Sequence, residues 1–481
     1  MFRLTSSCAR LLRLCAALGA LPALWACTSH ALSPPPGGPQ STQRKTFPVG
    51  QNRDLDLLFM VDNSNSMRGL QQKMAQRLPD FMQVLKDLPG GLPSLHVAVV
   101  SSALGTGAIT SIGMCGPSAG GNDGGRFQHA AGCTALPASE RFLKATPEGN
   151  NFTGDIADVF ACIARLGDTG CGIEQQFESI RVALTKAANP ADPDNGGFLR
   201  PDATLGIVML TNEDDCSLPP ESMLFDPSQR SVSSELGGLQ NYRCNEFGHL
   251  CGGQPLPHTV SQPVTLTDCA PAEDQGRLTS VAEFVKAVRD LKKDPDKLFV
   301  AALAGVPGSN YVIEPISAEL GGGAFEIQPS IAHSCEAPHP PDTKPTDFAD
   351  PGVRIASFIN AFPPTHAKMH SICEQDFKPA MEDIARALSA LVEPPCLDHP
   401  VALTQDARPD CQVSLSRGTD TPAEGLHECV DGATSYPCWR LDRPASCPTR
   451  GRINVCWDAT CAPDKGPNTR VSASATCALG T

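Results

Sequence analysis

The stretch that decides the fold is residues 55–66, LDLLFMVDNSNS, in which an apolar run leads into a short polar turn. A nearly continuous apolar run of this length predicts a strand that is buried on both faces. The segment after the turn predicts a helix, because its apolar residues recur at a spacing that places them on one face. These residues are Leu70, Met74, Leu78, Phe81, Leu85 and Leu88.

The same alternation of strand and helix continues outward from this stretch. Short apolar runs at residues 95–100, 205–210 and 298–303 predict further buried strands, and a shorter one is expected at 311–313. Helical spacing connects them, with apolar positions around Ile156, Phe177, Phe284 and Ile384 in turn. The pattern predicts an α/β fold, a mainly parallel sheet with helices on both faces, which closes near residue 393.

Three regions depart from this pattern. Residues 213–276 and 322–370 lack its periodicity, and we interpret both as insertions in loops of a domain that spans residues 50–393. Residues 394–481 contain eight cysteines and many turn residues. This composition predicts a small, disulfide-rich, β-rich C-terminal module.

The N-terminus is built like an export signal. Three arginines precede an apolar run that is too short to span a membrane, which predicts a signal peptide over residues 1–26. The run ends in LWAC, which resembles the lipobox of bacterial lipoproteins, although the tryptophan replaces a usually small residue. The resemblance implies lipidation of Cys27 and an envelope protein, with the outer membrane favoured, and simple secretion is the alternative. Residues 27–49 would then be a Pro-rich, lipidated tether.

Charge and cysteine content restrict the class of protein. Loss of the signal peptide removes three arginines and no acid, so the formal net charge falls from −14 to −17, which argues against nucleic acid as a partner. Of 21 cysteines, 18 remain after the signal peptide and Cys27 are set aside, and in an exported chain they predict up to nine disulfides. Spacing suggests that Cys115 pairs with Cys133 and Cys162 with Cys171.

The turn after the first strand carries the strongest chemical signal. Asp62, Ser64 and Ser66 form Asp-x-Ser-x-Ser at the carboxyl end of a strand, where ligands bind in open α/β sheets. One carboxylate and two hydroxyls are hard donors suited to Mg²⁺ or Ca²⁺, and Mn²⁺ is also possible, but other loops must complete the site. The alternative is a serine-rich turn that caps the following helix.

This motif and its setting over residues 50–393 resemble a von Willebrand factor A domain, whose doubly wound sheet carries a metal-ion-dependent adhesion site. The resemblance implies a threonine ligand from a second loop and an aspartate from a third. Here Glu174 and Asn212 occupy those positions, so the chain departs from the family pattern at both. Asp214, or the acidic residues on either side of it, would compensate. The family's partners often supply a carboxylate to the metal.

The resemblance implies a binding function rather than catalysis. We expect a lipoprotein that binds a divalent metal and mediates protein–protein interaction or adhesion, with residues 213–276 determining the partner. The alternative is a structural envelope scaffold in which the metal only stabilises the fold. No nucleophile–base motif is present, so the chain is not expected to be an enzyme. His366 and His370 have helical zinc spacing but are interpreted as surface residues.

Overall fold

The computed structural model describes most of the chain from residue 41 onward. The predicted signal peptide, Cys27 and the first part of the predicted tether lie outside the described residues. Those described are 41–49, 53–88, 91–116, 121–129, 132–273, 277–321, 324–338, 345–394, 396–417, 422–430, 435–443, 447–461 and 471–480.

The elements alternate between strands and helices in the first half of the chain and are mainly strands in the last part. The strands are β1 (Thr42–Val49), β2 (Leu55–Val61), β3 (Leu95–Ser101), β4 (Leu143–Thr146), β5 (Gly149–Asn150), β6 (Thr204–Leu210), β7 (His249–Cys251), β8 (Gln254–Pro255), β9 (Val264–Leu266), β10 (Cys269–Pro271), β11 (Leu298–Ala304), β12 (Tyr311–Gly321), β13 (Ala324–Ile331), β14 (Cys335–Pro338), β15 (Pro345–Ala349), β16 (Ala367–Ser371), β17 (Cys411–Ser416), β18 (Glu424–Leu426), β19 (Cys438–Asp442), β20 (Arg452–Cys456) and β21 (Val471–Ala478). The helices are α1 (Arg68–Lys86), α2 (Ile156–Ile163), α3 (Gln176–Ala187), α4 (Tyr242–Gly248), α5 (Val281–Arg289), α6 (Val353–Asn360) and α7 (Lys378–Val392).

A seven-stranded sheet forms the centre of the α/β region, in the order β16-β11-β6-β2-β3-β4-β5. The strands from β16 to β3 run parallel, and β4 and β5 continue the sheet antiparallel. Every residue of β2, β3, β6 and β11 is buried, which confirms the four buried strands expected from the apolar runs. The mainly parallel α/β class is therefore confirmed.

Helices cover both faces of this sheet. Successive residues of a strand point to opposite sides, so each buried strand contributes side chains to both layers. On one face Phe59 packs edge-on against Phe81 of α1 and Phe160 of α2, with α7 completing the layer. On the other face Met60 belongs to a core that includes Phe177 of α3 and Phe284 of α5, together with residues of α6. Because β2, β3, β6 and β11 are parallel, they all begin at one edge of the sheet and end at the opposite edge. We call the edge where β2, β3 and β6 end the carboxyl edge and the other the amino edge.

Residues 27–49 are not a tether throughout, because the last eight form β1. This strand pairs antiparallel with β21 along its whole length. Phe47 and Val49 are buried in the core of the C-terminal sheet, while most other described side chains of β1 are polar. A half-buried strand with so few apolar residues has the same composition as a linker, which is why the sequence predicted a tether here.

The predicted insertion at 322–370 also needs correction. Its last part contains α6, which buries Phe358 against the sheet, and β16 begins within it and forms the sheet's outer strand. Its first part contributes β13, which pairs with β12 and extends the expected short strand at 311–313 into a hairpin. Because the segment is rich in Pro and His, its sequence lacks a clear apolar periodicity, and the short elements that complete the α/β domain were not predicted.

In their described part, residues 213–276 lie outside the seven-stranded sheet and carry small elements, namely α4 and β7 to β10. Their Leu218, Leu224, Phe225 and Leu236 belong to a buried core that is shared with the loops after β3 and before α3, through residues such as Ala103 and Ile173. β9 pairs with β12, so this segment also packs on the hairpin described above. The segment is folded rather than an irregular loop.

The C-terminal region is rich in disulfides and in strands. β1, β21, β17 and β18 form one sheet, and β19 and β20 form a separate hairpin. Val413, Leu415, Trp439 and Ile453 contribute to the core between them. The module therefore includes a strand from the N-terminal side of the α/β domain.

All eighteen cysteines from Cys115 onward are in disulfides, nine in number, which confirms the framework expected from the cysteine count. Such a framework belongs to an oxidising, extracytoplasmic compartment. The pairing expected from spacing is wrong, however. Cys115 pairs with Cys171, and Cys133 pairs with Cys162, because the fold brings together loops that are distant in sequence.

Among the described residues, no helix combines the length and apolar character that crossing a membrane requires.

Candidate metal site at the carboxyl edge

The loop that follows β2 holds Asp62 and Ser64 in buried positions. Asp62 is fully buried, and its Oδ1 accepts a hydrogen bond of 2.8 Å from the backbone N–H of Ser64. The Asp62 backbone N–H donates to Leu210 O, so the loop continues the pairing of β2 with β6. The turn thus fixes the carboxylate at the point where the paired strands β2 and β6 end.

Hydroxyl groups from two neighbouring strand ends also point at this carboxylate. Thr211 Oγ1 donates to Asp62 Oδ2 at 2.8 Å, and Ser102 Oγ donates to Asp62 Oδ1 at 3.2 Å. Both residues come immediately after a buried parallel strand, so the sheet itself brings them to one place. Neither was predicted from the sequence, although a polar residue directly after a buried strand is a usable signal.

Glu174 reaches the same edge from the loop before α3. The next residue anchors the loop, since Gln175 N donates to Ser102 O and Gln175 Nε2 donates to Gly105 O. Earlier in the loop, Gly170 lies so close to Asn63 that an added Cβ would be 2.2 Å from the Asn63 amide oxygen. The side chain of Glu174 is 2 % exposed, and its Oε1 has no hydrogen-bond partner.

The third loop contributes Asn212 and Glu213. Ser66 Oγ donates to Asn212 Oδ1 at 3.1 Å and lies 3.4 Å from Ser64 Oγ, which links the first and third loops. Glu213 is half-buried, and one of its oxygens accepts a hydrogen bond from Asn241 in the 213–276 segment. The segment therefore positions an acidic side chain at the carboxyl edge.

Asp214 was predicted as a metal ligand, but the structure directs its carboxylate away from this cluster. Its oxygens accept hydrogen bonds from the first backbone N–H groups of α6, at Arg354 and Ile355, and from His249. Asp215 likewise accepts from the N–H of Phe177 in α3 and pairs with Arg354. Asp214 and Asp215 thus cap helices, and of the three adjacent acids it is Glu213 whose side chain lies at the carboxyl edge.

Burial raises the pKa of all three carboxyls at the carboxyl edge, and repulsion from other acids raises it further for Glu174 and Glu213. Burial alone raises the pKa of Asp62, against the four hydrogen bonds it accepts. The pKa of Glu174 lies well above its usual range because of burial and then repulsion from Glu213 and Asp62. The pKa of Glu213 rises to about 7, through burial and the nearby Asp350. Within the described residues, no lysine or arginine is among the groups that act most strongly on them.

The carboxyls alone do not make a compact metal cage. A compact site needs three ligand atoms from acidic, histidine or cysteine side chains that all lie within 4.8 Å of one another. In the described part of the chain, such a group is formed by Cys429, Cys438 and Cys456 of the C-terminal region, and not by the carboxyls. A cation at the carboxyl edge would therefore need the serine hydroxyls and amide oxygens as donors besides the acids. His366 and His370 do not supply one, because they lie at a strand, next to Asp296 and Asp383 respectively.

Comparison with known proteins adds no relative: neither the models of protein families nor the curated proteins include a match to this sequence.

Proposed function

We propose that the carboxyl edge binds a divalent cation, Mg²⁺, Ca²⁺ or Mn²⁺, and that the chain is a lipid-anchored envelope protein of the von Willebrand factor A type that captures a protein partner. The observation that carries the proposal is the cluster of Asp62, Glu174 and Glu213. Within the described residues, no lysine or arginine acts strongly on these three buried or half-buried carboxyls, and such groups are costly unless protons or a bound cation neutralise them. A divalent ion would offset that cost.

The donor set fits a hard cation. Asp62, Ser64 and Ser66 would hold the ion from the first loop, and Glu174 and Asn212 would reach it from the second and third. Glu174 Oε1 is a buried oxygen without a partner, which is the kind of atom a missing ion leaves unsatisfied. When bound, the ion supplies charge neutralisation and an electrophilic centre at which an oxygen of the partner can bind.

The strand order also supports the proposal. Numbered along the chain, β2, β3, β4, β6, β11 and β16 lie across the sheet in the order 3-2-1-4-5-6. This is the order of doubly wound dinucleotide-binding sheets, with the difference that β4 runs antiparallel here. Ligands of such sheets bind where the order reverses, next to the first strand. Asp62 and Thr211 lie at that point.

The 213–276 segment supports partner capture at this edge. Cys216 is bonded to Cys244, which folds the segment back immediately after the acidic run. Asn241 then holds Glu213. We infer that this segment forms part of the partner surface, since a rim built from a separate folded segment can vary without disturbing the sheet.

A second candidate is a structural scaffold in which the ion only stabilises the loops. The burial of Asp62, Ser64, Glu174 and Asn212, none more than 3 % exposed, favours it, because a partner's oxygen needs access to the ion. Access would then have to come past Ser66 or Glu213, which are partly exposed.

Thermal unfolding of the oxidised protein tests the cation site. We expect Mg²⁺, Ca²⁺ or Mn²⁺ to raise Tm relative to chelator, and an ion at a hundred times its Kd would add about 2.7 kcal/mol of stability. Asp62→Ala/Ser64→Ala should abolish the rise. The protein used must retain β1, which belongs to the C-terminal sheet.

Asp226→Ala/Ser228→Ala is the matched control, because Ser228 N donates to Asp226 Oδ1 just as Ser64 N does to Asp62, but on an exposed loop. It should keep the ion-dependent rise. If no ion raises Tm, the cation proposal fails. Partner capture is tested by cross-linking in envelope extracts with ion, with chelator and with the Asp62→Ala variant. If ions raise Tm but the same partners are cross-linked in all three cases, the scaffold candidate replaces partner capture.

A further inference from the structure

A second group of potential metal ligands lies in the C-terminal region, away from the acidic cluster. Cys429 is bonded to Cys438 and Cys456 to Cys461, and the two disulfides are packed side by side. The Sγ atoms of Cys429, Cys438 and Cys456 all lie within 4.8 Å of one another. We call Cys429, Cys438, Cys456 and Cys461 the sulfur cluster.

The strand register shows why the sulfurs of Cys438 and Cys456, and with them their disulfide partners, come together. Cys411 and Cys477 are direct cross-strand partners on β17 and β21, and they are bonded to each other. Cys438 and Cys456 are also direct cross-strand partners, on β19 and β20, yet each is bonded to another cysteine. The β19–β20 pairing thus holds two separate disulfides against each other.

The cysteines themselves form the apolar core at this place. Cys438, Cys456 and Cys461 are buried, and Cys429 and Tyr436 pack against them half-buried. No aliphatic side chain belongs to this cluster within the described residues. If the disulfides are opened, Trp439, Ile453 and Val455 still pack in the larger C-terminal core, but the apolar cluster made of the cysteines loses its cross-links unless another one replaces them.

We propose that the reduced sulfur cluster binds one thiophilic cation, Zn²⁺ in the first place, through its four thiolates. A dithiol reductant opens each disulfide: the S–S bond breaks, two thiols form, and the dithiol is oxidised to its own disulfide. Zn²⁺ then displaces the four thiol protons as the thiolates ligate it. Four cysteine sulfurs are the ligand set of structural zinc sites.

This cluster is chemically distinct from the carboxyl edge. Thiolate is a soft donor that favours Zn²⁺ or Cu⁺, whereas carboxylates and hydroxyls favour Mg²⁺ and Ca²⁺. Cys429 gives the reductant an entry point, since it is half-buried while the other three are buried. The cluster therefore has two cross-linked states, a pair of disulfides and a metal tetrathiolate.

Cysteine alkylation of the wild-type protein tests the proposal without any substitution. The protein is treated anaerobically with increasing dithiothreitol, then with Zn²⁺ or Mg²⁺, and then with iodoacetamide, and modified cysteines are located by peptide mass spectrometry. We expect Zn²⁺, but not Mg²⁺, to protect Cys429, Cys438, Cys456 and Cys461 together. Equal alkylation with and without Zn²⁺, or protection of other cysteines only, would overturn the proposal.

Two matched variants add a stoichiometric test on the reduced protein. One replaces the four cysteines of the sulfur cluster by serine, and the other replaces the remaining four of the C-terminal region, which form the bonds Cys396–Cys447 and Cys411–Cys477. Tight Zn²⁺ uptake should fall by one equivalent in the first variant and stay unchanged in the second. Equal uptake by the two variants would contradict the assignment.

Discussion

The two ends of β2 each bury an aspartate, and the contrast between them separates a structural charge from a binding site. Asp56 at the amino edge is fully buried, but Arg200 pairs with it at 2.7 Å and Lys292 lies 4.0 Å away. Asp62 at the carboxyl edge is equally buried, yet it is surrounded by hydroxyls and by the acids Glu174 and Glu213. Within the described residues, one end carries its own cations, whereas no lysine or arginine acts strongly on the carboxyls at the other.

The largest effect should come from removing the cation at the amino edge. Arg200→Met leaves Asp56 buried with only Lys292 to compensate, so we expect a loss of about 3–5 kcal/mol in the free energy of unfolding at pH 8. Urea denaturation measures it. Lys286→Met is the control, because its pair with Asp290 is exposed and should contribute little. Similar losses in the two variants would remove the contrast on which the comparison depends.

The carboxyl edge should depend on a covalent link instead. Cys115–Cys171 ties the loop after β3 to the loop that carries Glu174. Replacing both cysteines by serine should cost about 2–4 kcal/mol of stability and weaken the cation-dependent rise in Tm. Denaturation with and without Mg²⁺ checks both effects. An unchanged ion response would mean that the disulfide does not position Glu174.

The sharpest test is a pair of substitutions with opposite signs. Glu174→Gln removes a buried acid, and the amide N–H of the glutamine can still donate to Glu213. In chelator at pH 8 we therefore expect the free energy of unfolding to rise by about 1 kcal/mol. The ion-dependent rise in Tm should be lost. Asp56→Asn should instead destabilise, because it removes the buried acid that pairs with Arg200 and leaves this cation to the partly exposed Asp54, 3.3 Å away. If both substitutions destabilise in chelator, the carboxyl edge is a structural network like the amino edge.

The smallest effect concerns pH at the amino edge. Burial, followed by the charge of Arg200, lowers the pKa of His96 to about 4. The folded state therefore binds this proton less readily than the unfolded state, whose pKa is near 6.5. The stability that neutral His96 contributes is present above pH 6.5 and is lost as the pH falls through 4. The destabilisation caused by His96→Gln should hence be smaller at pH 5 than at pH 7.

Denaturation of wild type and His96→Gln at both pH values measures this difference. Asp56 titrates in the same range with the opposite sign, since burial raises its pKa to about 6 and its contribution is lost as the pH rises through that value. Comparing the two proteins at each pH cancels the Asp56 titration that they share, and the remaining gap reports His96 together with its 3.7 Å contact with Asp56. A gap that is constant between pH 7 and pH 5 would contradict the buried, neutral state of His96.

Much of the carboxyl edge could be predicted from the sequence because it follows strand ends. Asp62, Ser64, Ser66 and Asn212 come directly after buried runs, and parallel strands deliver such residues to one edge. Asp214 could not be distinguished from Glu213 in this way. Neighbouring residues of an irregular loop point in different directions, and only α6, which receives the Asp214 carboxylate, determines which of them turns inward.

The sequence by itself determined the alternation of buried strands and amphipathic helices, the position of the acidic and serine-rich turn, and an even set of exported cysteines. These are local properties, because periodicity and residue chemistry act over a few neighbours. The tertiary structure alone decided which cysteines pair, that β1 joins β21, and that Asp56 has a cation while Asp62 does not. Those outcomes depend on segments far apart in the chain, and only the packed fold brings such segments into contact.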